Sequence, residues 1–308
     1  MRRKKIIHYA MTALLWFAVS SCIFEDEGVC PETSVHIGFD WDTAYNAELP
    51  AGMAVLFYDS HSPDWWRFDV SSYGGYAALY PGTYSALSFN NDMSTAVVNG
   101  YDSSSTLFVT SRETRLADAA TPSLKGAPPP RTSEEPVHAQ PGTVYSASLD
   151  GDLALTGNTD VIFTPRRITP RYRIIFDNIV NASSAAEVSV GLSGMSAGIY
   201  MYTGVRSGAC VTIPGRLGIS GDIFDGELSS FGPAPENNGN LLSLYVWLLD
   251  GKKQVFTFDV SDTVGSAPPG ADLTIRISGI KLPETHGTGG DMQVGVDNWE
   301  YVDIELKN

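Results

Sequence analysis

The side chains that most often carry catalysis are scattered through this sequence rather than grouped. The histidines after residue 21 show no His-x-His or His-Glu-x-x-His spacing, which would bring two imidazoles to one metal ion. Ser193 stands in Gly-Leu-Ser-Gly, but Met195 occupies the place of the second glycine that a nucleophile elbow needs. The sequence therefore predicts a protein that is not an enzyme. The four histidines are His36, His61, His138 and His286.

Oxygen ligands for a cation are bunched in two places, residues 150–160 and residues 291–303. Neither stretch has the register of a calcium-binding loop or its closing glutamate, so solvated turns are favoured over calcium sites. Glycines 287–290 are not followed by the Lys-Ser or Lys-Thr of a phosphate loop. Cys30 and Cys210 cannot form a zinc site by themselves. We therefore expect no metal and no cofactor.

Cys22 is the residue whose position predicts a chemical modification. Four basic residues at 2–5 precede an apolar run over residues 6–19, and two small serines then lead into the cysteine. These are the parts of a secretory signal peptide, and the run is shorter than the roughly 20 residues of a membrane span. Val19-Ser20-Ser21-Cys22 resembles a bacterial lipobox, in which the thiol takes a diacylglycerol. Each buried CH₂ then contributes ~0.8 kcal/mol to anchoring. The alternative is a secreted protein whose Cys22 pairs with Cys30.

Composition limits the architecture and the partners. The 308 residues are enough for two domains or one large all-β domain, and 14 Tyr, 13 Phe and 6 Trp favour strands. The formal net charge is −15, and residues 1–21 hold four positive and no negative charges, which leaves −19 on the rest. Nucleic acid and anionic headgroups are therefore excluded as partners. Cys30 and Cys210 remain as a disulfide or as two separate thiols, and their sequence distance favours separate thiols.

The N-terminal half shows strand periodicity. Residues 34–41 alternate apolar and polar side chains, and residues 53–58 are apolar on both faces, which predicts a central strand. Trp65 and Trp66 are adjacent on a strand, so their rings must point to opposite faces. We expect one ring in the core, and the other either covered by a loop or available to contact a partner or a glycan.

Residues 117–142 interrupt this periodicity with six prolines. We expect a mobile surface excursion rather than a domain linker, because strand patterns resume at residues 144–149 and 160–164. The character of the sequence changes at residues 165–170, where we place a domain boundary. Asp250-Gly251, between two apolar runs, is a strong hairpin signal. The strands expected after the boundary are 171–176, 187–192, 198–203, 209–213, 241–249, 254–260, 273–280, 293–296 and 301–306.

The order of several short motifs resembles the fimbrillin superfamily of Bacteroidales type V pili, and more narrowly its lipid-anchored fimbrial anchor or accessory subunits. The motifs are Ser21-Cys22-Ile23 before acidic residues, Cys30-Pro31, residues 35–40, Pro81-Gly82-Thr83-Tyr84, Asn90-Asn91-Asp92, Phe163-Thr164-Pro165, residues 191–204, Phe231-Gly232, Asp250-Gly251-Lys252 and Val296-Asp297-Asn298-Trp299. The resemblance implies an all-β fold of two transthyretin-like β-sandwich domains in series after a lipoprotein signal peptide.

The resulting domain prediction has four parts: a signal peptide over 1–21, a lipidated tether over 22–33, and β-sandwiches over 34–165 and 166–308. The resemblance also implies a surface-exposed location, anchored in the outer membrane by lipid. The expected partners are other fimbrial subunits or surface proteins, met in assembly or adhesion.

Two departures refine the predicted role. No residue clearly matches the processing arginine of polymerising stalk subunits, although Arg131 and Arg166-Arg167 are candidate protease sites. The last predicted strand leaves only two residues after it, which favours receiving a strand over donating one. We therefore predict an accessory or anchor subunit that acts by strand pairing. The alternative is a glycan-binding surface lipoprotein in which Trp65 and Trp66, with Tyr73 and Tyr76, stack on sugar rings.

Overall fold

The computed structural model describes residues 32–42, 49–149, 151–265, 268–285 and 299–302. In these ranges the chain forms 22 β-strands, and no helix there exceeds five residues. The all-β prediction is confirmed. The signal peptide, Cys22, Cys30, most of the predicted tether, His286, the second acidic stretch up to residue 298 and the predicted strand 293–296 lie outside the described residues.

Sheet I has three strands in the order β12-β1-β4. Its strands are β1 (Thr33–Phe39), β4 (Gly75–Leu79) and β12 (Thr159–Phe163). β1 runs antiparallel to β4 but parallel to β12, and its middle residue His36 faces Tyr76 on one side and Asp160 on the other. The alternation in β1 buries Val35 and Ile37 and leaves His36 exposed, as the sequence predicts.

Sheet II packs on the inner face of sheet I and has the order β13-β10-β5-β2-β3, with β11 also paired to β5. Its strands are β2 (Gly52–Asp59), β3 (Trp65–Ser71), β5 (Gly82–Asn90), β10 (Tyr145–Ser148), β11 (Leu153–Leu155) and β13 (Arg166–Arg167). β2 is buried on both faces: Val55 and Phe57 join the core shared with sheet I, and Ala54 and Leu56 join a second core. The predicted central strand is therefore confirmed.

Sheet III covers the other face of sheet II and joins the two predicted halves of the chain. Its strands are β6 (Ala96–Asn99), β7 (Phe108–Ser111) and β16 (Gly198–Tyr200), in the order β16-β7-β6. Ile199 of β16 pairs with Val109 of β7 and packs in the same core as Ala54 and Leu56. The boundary after residue 165 remains a prediction, and the strands on either side of it share this core.

Sheet IV is a continuous path of eight strands, β21-β14-β18-β17-β15-β19-β20-β22, with β9 paired to β17. These strands are β14 (Arg171–Asp177), β15 (Ala185–Ser196), β17 (Cys210–Ser220), β18 (Ile223–Ser229), β19 (Leu241–Leu248), β20 (Lys253–Asp259), β21 (Asp272–Ser278) and β22 (Trp299–Tyr301). The predicted hairpin at Asp250-Gly251 joins β19 to β20, and Gly251 has a φ of 83°, which favours glycine. The described residues also contain two short helices, α1 (Leu116–Ala119) and α2 (Ser261–Gly265), and two 3-10 turns, at Pro122–Leu124 and Ala182–Ser184.

The proline-rich segment is not an excursion away from the body, and this part of the sequence prediction is corrected. Residues 113–142, here called the strap, contain β8 (Glu113–Thr114), α1 and β9 (Val137–His138), and Val137 pairs with Thr212 of β17. Leu116 and Leu124 are buried against Tyr245 of sheet IV. The strap lacks periodicity because its backbone acceptors and side chains, rather than a regular ladder, hold it to the sheet.

Three hydrogen bonds show how a proline-rich chain is held. The Tyr245 hydroxyl donates to the carbonyl oxygen of Pro128 at 2.7 Å, a bond that needs no N–H from the proline. The Glu135 carboxylate accepts from the Gly194 amide and from the Thr212 hydroxyl, each at 2.9 Å. The segment is therefore positioned by acceptors that prolines retain.

Candidate functional site

The two ends of sheet IV face the same groove, here called the seam groove. It has a volume of about 530 Å³ and lies between the end of β20 with α2 on one side and β21 on the other. Its lining comprises Phe258, Asp259, Val260, Ser261, Asp262, Thr263, Ile275, Arg276, Ile277 and Ser278. Strands from opposite ends of one sheet thus form the two walls of a single opening.

The main chain of β20 has unpaired positions next to this groove, as far as the described residues show. The Lys252 carbonyl accepts from Leu248 and the Val260 amide donates to Asn240, so the even-numbered residues of β20 face β19. The odd-numbered residues face the opposite side, where Val302 donates to the Val255 carbonyl at 3.0 Å. Among the described residues, β22 pairs with β20 only from Lys253 to Val255. No strand among the described residues pairs with the main-chain groups of Thr257 on this side.

The other wall is also a strand edge. β21 pairs with β14 along Asp272–Ser278, and within the described ranges no further strand pairs with it. Open edges of this kind can add a strand from another chain. The structure therefore offers two strand edges to one extended segment.

The side chains of the seam groove suit an extended peptide with alternate apolar residues. Phe258, Val260 and Ile275 are at least 93% buried and form an apolar floor. At the rim, hydrogen bonds from the Ser261 hydroxyl and amide lower the pKa of Asp259. The Arg276 guanidinium is paired with the Asp177 carboxylate. The rim therefore carries the carboxylates of Asp259 and Asp262 beside an Arg276 that is already paired, and the floor offers an apolar contact surface.

Trp65 and Trp66 lie on opposite faces of β3, as adjacent residues of a strand must. Trp65 is 36% exposed, and its ring stacks on the Tyr101 ring with the centroids 5.4 Å apart and the planes inclined by 20°. Trp66 is half-buried and meets Tyr84 edge to face at 5.6 Å. The two rings therefore do not form one platform, and a contact of either ring with a partner or glycan stays a prediction.

Tyr73 and Tyr76 have a different setting: Tyr73 lies in the turn between β3 and β4, and Tyr76 lies on β4 at the outer face of sheet I. Their side chains are 84% and 72% exposed, and the Tyr76 ring lies 4.9 Å from the His36 ring. The neighbouring Asp160 and Ile162 come from β12, more than 120 residues away from His36 in the chain. Sequence reasoning did not place Asp160 and Ile162 beside Tyr76, because local periodicity does not specify which distant strands pair.

The remaining residues with chemical interest have ordinary structural partners. Arg131 is half-buried and donates to the Gly239 carbonyl, and Arg167 lies on β13 paired with Tyr145 of β10. Neither candidate protease site is a free loop. Cys210 is half-buried, and burial together with the charge of Glu135 raises the pKa of its thiol. A low-pKa reactive cysteine is not indicated at this position.

The predicted solvated turn near residue 160 is the connection from β11 of sheet II to β12 of sheet I. The Asn158 side chain accepts from the Ser34 amide at 3.1 Å, and Asp160 pairs with the His36 ring at 3.0 Å. Over the described residues, no group of three His, Cys, Asp or Glu side chains is placed to hold a metal ion. In the same part of the chain, no helix has the length and apolar character needed to cross a membrane.

Solved structures share this architecture. A candidate adhesin from Bacteroides ovatus superposes with a TM-score of 0.63 at 18% identity, over 83% of this chain and 95% of that one. The fimbrial anchor protein Mfa2 from Porphyromonas gingivalis gives 0.50 at 14% identity, over 80% and 90%. A candidate polysaccharide-binding protein from Bacteroides thetaiotaomicron gives 0.50 at 11% identity, over 81% and 92%. The predicted resemblance to Bacteroidales fimbrial proteins is confirmed as a likeness of fold.

Sequence comparison gives a family but not an activity. A search of curated proteins finds no match. A family described as a domain of unknown function, DUF5119, matches residues 25–214, which is more than half of the chain and spans β1 to β17. The chain belongs to the DUF5119 family.

Proposed function

We propose that this chain is a non-catalytic, lipid-anchored surface protein that acts as an accessory or anchor subunit of a fimbria. It accepts an extended strand from another subunit in the seam groove. The observation that carries this proposal is a pair of strand edges, β20 beyond Val255 and β21, that no further strand of the described ranges covers and that adjoin one apolar-floored groove. The fold shared with a protein described as a fimbrial anchor supports it.

Strand addition in the seam groove has a clear energetic basis. Each main-chain hydrogen bond contributes roughly 0.5–1.5 kcal/mol net, whereas ordering each incoming residue costs about 1–2 kcal/mol. Backbone pairing alone therefore gives little affinity. Apolar side chains that settle on Phe258, Val260 and Ile275 supply the rest, at about 1.5–3 kcal/mol for each large side chain buried. The groove should thus select partners with apolar residues at every second position.

The membrane anchor is the second part of the proposal. Cys22, in Val19-Ser20-Ser21-Cys22, carries acyl chains, and residues 22–33 connect them to β1. The charge of −19 on the chain after residue 21 opposes direct binding to anionic headgroups, so attachment depends on the acyl chains. Acylation and export place the seam groove at the outer surface of the outer membrane, where other fimbrial subunits or surface proteins can reach it.

The strand-accepting role is tested with peptides that match the C-terminal strands of fimbrial subunits produced together with this chain. Thr257→Pro removes an N–H on the side of β20 that faces away from β19 and keeps the main-chain bonds to β19, so the variant should fold and bind at least tenfold more weakly. Both proline and valine at this position remove the hydroxyl that is hydrogen-bonded to Ser243 of β19, so this loss is the same in the two variants. Thr257→Val is the matched control, because it keeps the N–H and should bind like the wild type. A chain ending at Val302 is measured in parallel, to remove competition by residues 303–308.

Two results would contradict this role. One is the absence of binding by every peptide to both the full and the shortened chain. The other is equal binding by Thr257→Pro and Thr257→Val, which would place the peptide elsewhere. Binding of glycans without any peptide binding would favour the alternative of a glycan-binding surface lipoprotein.

A further inference from the structure

The outer face of sheet I carries a row of three side chains that the topology brings together. Tyr76 of β4, His36 of β1 and Asp160 of β12 are direct neighbours across the sheet. The planes of the Tyr76 and His36 rings are inclined by 33°, and the His36 Nδ1 lies 3.0 Å from the Asp160 Oδ1. The aromatic surface is therefore held in a fixed orientation by a hydrogen bond at its far end.

An apolar strip continues this row toward the end of β1. Gly38 occupies the outward position after His36, and Ile162 of β12 lies beside it; a Cβ at Gly38 would be 3.7 Å from the Ile162 Cγ1. Ile162 is nevertheless 65% exposed, and the Tyr76 side chain is 72% exposed. The absence of a side chain at Gly38 leaves a low, flat strip between the aromatic row and Ile162.

The exposure of this face requires explanation. β1 and β12 form a parallel pair, and parallel pairs are usually covered on both faces. Here sheet II covers the inner face, and among the described residues nothing covers Tyr76 or Ile162. Removing apolar surface from water is favourable, so a ligand with a flat apolar face gains free energy by covering it.

The polar groups around the face have the chemistry to bind hydroxyl groups. Asp160 presents carboxylate oxygens that accept hydrogen bonds, and His36 presents a second ring nitrogen. The Asn158 Oδ1 accepts from the Ser34 amide, whereas its Nδ2 has no partner among the described residues. An aromatic ring beside a carboxylate and an amide matches a pyranose, which has one apolar C–H face and hydroxyl groups around its edge.

The charge of the face selects among saccharides. Asp160 supplies a formal negative charge on the outer face of sheet I, and no Lys or Arg lies in β1, β4 or β12. The whole chain has a formal net charge of −15. Sulfated, uronic acid-rich and phosphorylated glycans are therefore disfavoured. We propose that the outer face of sheet I, formed by Tyr76, His36, Asp160 and Ile162, binds a pyranose unit of a neutral glycan.

This proposal goes beyond strand acceptance and does not depend on it. β1, β4 and β12 share no residue with the walls of the seam groove. It also locates the glycan-binding alternative away from Trp65 and Trp66. Failure of peptide binding and failure of glycan binding are therefore separate results.

The test uses the full chain and immobilised neutral oligosaccharides that end in galactose, glucose, mannose or N-acetylglucosamine. Calorimetry then measures the affinity of the tightest-binding oligosaccharide for the wild type and for variants of the outer face of sheet I. Tyr76→Ala should weaken binding at least tenfold, whereas Tyr76→Phe keeps the ring and should bind within about threefold of the wild type. Asp160→Asn should weaken binding several-fold. Tyr200→Ala, at a 39% exposed tyrosine on sheet III, is the control and should bind like the wild type.

Three outcomes would overturn the proposal. The first is that none of the neutral oligosaccharides binds, although thermal unfolding shows the chain to be folded. The second is that Tyr76→Ala binds as tightly as Tyr76→Phe. The third is that light scattering shows a dimer that Tyr76→Ala converts to a monomer, which would make this face an interface between two copies of the chain.

Discussion

The hydrogen bond from Tyr245 to Pro128 gives a sharp test of how the strap is held. Tyr245 is 1% exposed, and its hydroxyl lies 2.7 Å from the Pro128 carbonyl oxygen. Burial raises the pKa of this hydroxyl, so it remains a proton donor throughout the neutral and mildly alkaline range. Tyr245→Phe removes the donor and keeps the ring, which also packs edge to face on Trp299 at 5.4 Å.

The magnitude follows from the burial of the bond. Removal of one partner leaves the Pro128 carbonyl without its donor, at a cost of about 1–2 kcal/mol. The cost falls on the strap, since the ring contacts of residue 245 are retained. If the strap opens and closes faster than a protease cuts, about 1–2 kcal/mol raises the open fraction, and hence the cleavage rate, about 5–30-fold.

Limited trypsin digestion measures this opening. The sequence predicts first cuts at Lys125 or Arg131; because Arg131 is packed against Gly239 and Lys125 is exposed, we expect Lys125 first. Tyr245→Phe should accelerate that cut about 5–30-fold. Tyr200→Phe, at a half-exposed ring on sheet III, should leave it unchanged. A first cut within Arg171–Asp177, or equal rates in the two variants, would refute the assignment of the strap as a separately opening unit.

Three further predictions concern the anchor, an ion pair and a turn. Cys22→Ala should move the protein from the membrane fraction to the soluble fraction, and unchanged retention would contradict acylation. Hydrogen bonds from Ser278 and Arg276 lower the pKa of Asp177, so its stabilising effect is complete above the ordinary carboxyl pKa and disappears as the pH falls through the lowered value. Unfolding temperatures of wild type and Asp177→Asn should therefore converge in acid, and a constant difference would contradict this. Gly74→Ala should destabilise the folded protein by about 1–2 kcal/mol or more, because the φ of residue 74 is +112° and a Cβ would lie 2.2 Å from the Ile37 carbonyl oxygen. Chemical denaturation measures this change. An unchanged midpoint would show that alanine fits the turn without strain.

Strands and turns that are determined by residues close in sequence could be predicted. The alternation of residues 34–41 indicates β1, and Asp250-Gly251 indicates the β19–β20 hairpin, because both depend on contacts within a few residues. The opposite orientation of Trp65 and Trp66 follows from strand geometry alone. The stacking of Trp65 on Tyr101 does not, because it depends on how the loop before β7 folds back over β3.

The strap was misjudged for a physical reason. Six prolines remove donors from the backbone, and the absence of periodicity then suggests a segment without partners. The actual partners are single donors and acceptors on distant strands: Tyr245 for Pro128, and Thr212 with Gly194 for Glu135. Such contacts leave no repeating pattern, so sequence alone cannot distinguish a held proline-rich segment from a free one.

Both proposed surfaces depend on pairing between strands that lie far apart in the chain. The outer face of sheet I needs β12 beside β1, and the seam groove needs β21 and β20 at opposite ends of one rolled sheet. Because the surfaces share no strand, changes at Thr257 and at Tyr76 should act independently, as separated sites usually do. If both proposals hold, one subunit would bind a partner strand and a glycan at the same time, and assembly and adhesion would be compatible roles of one fold.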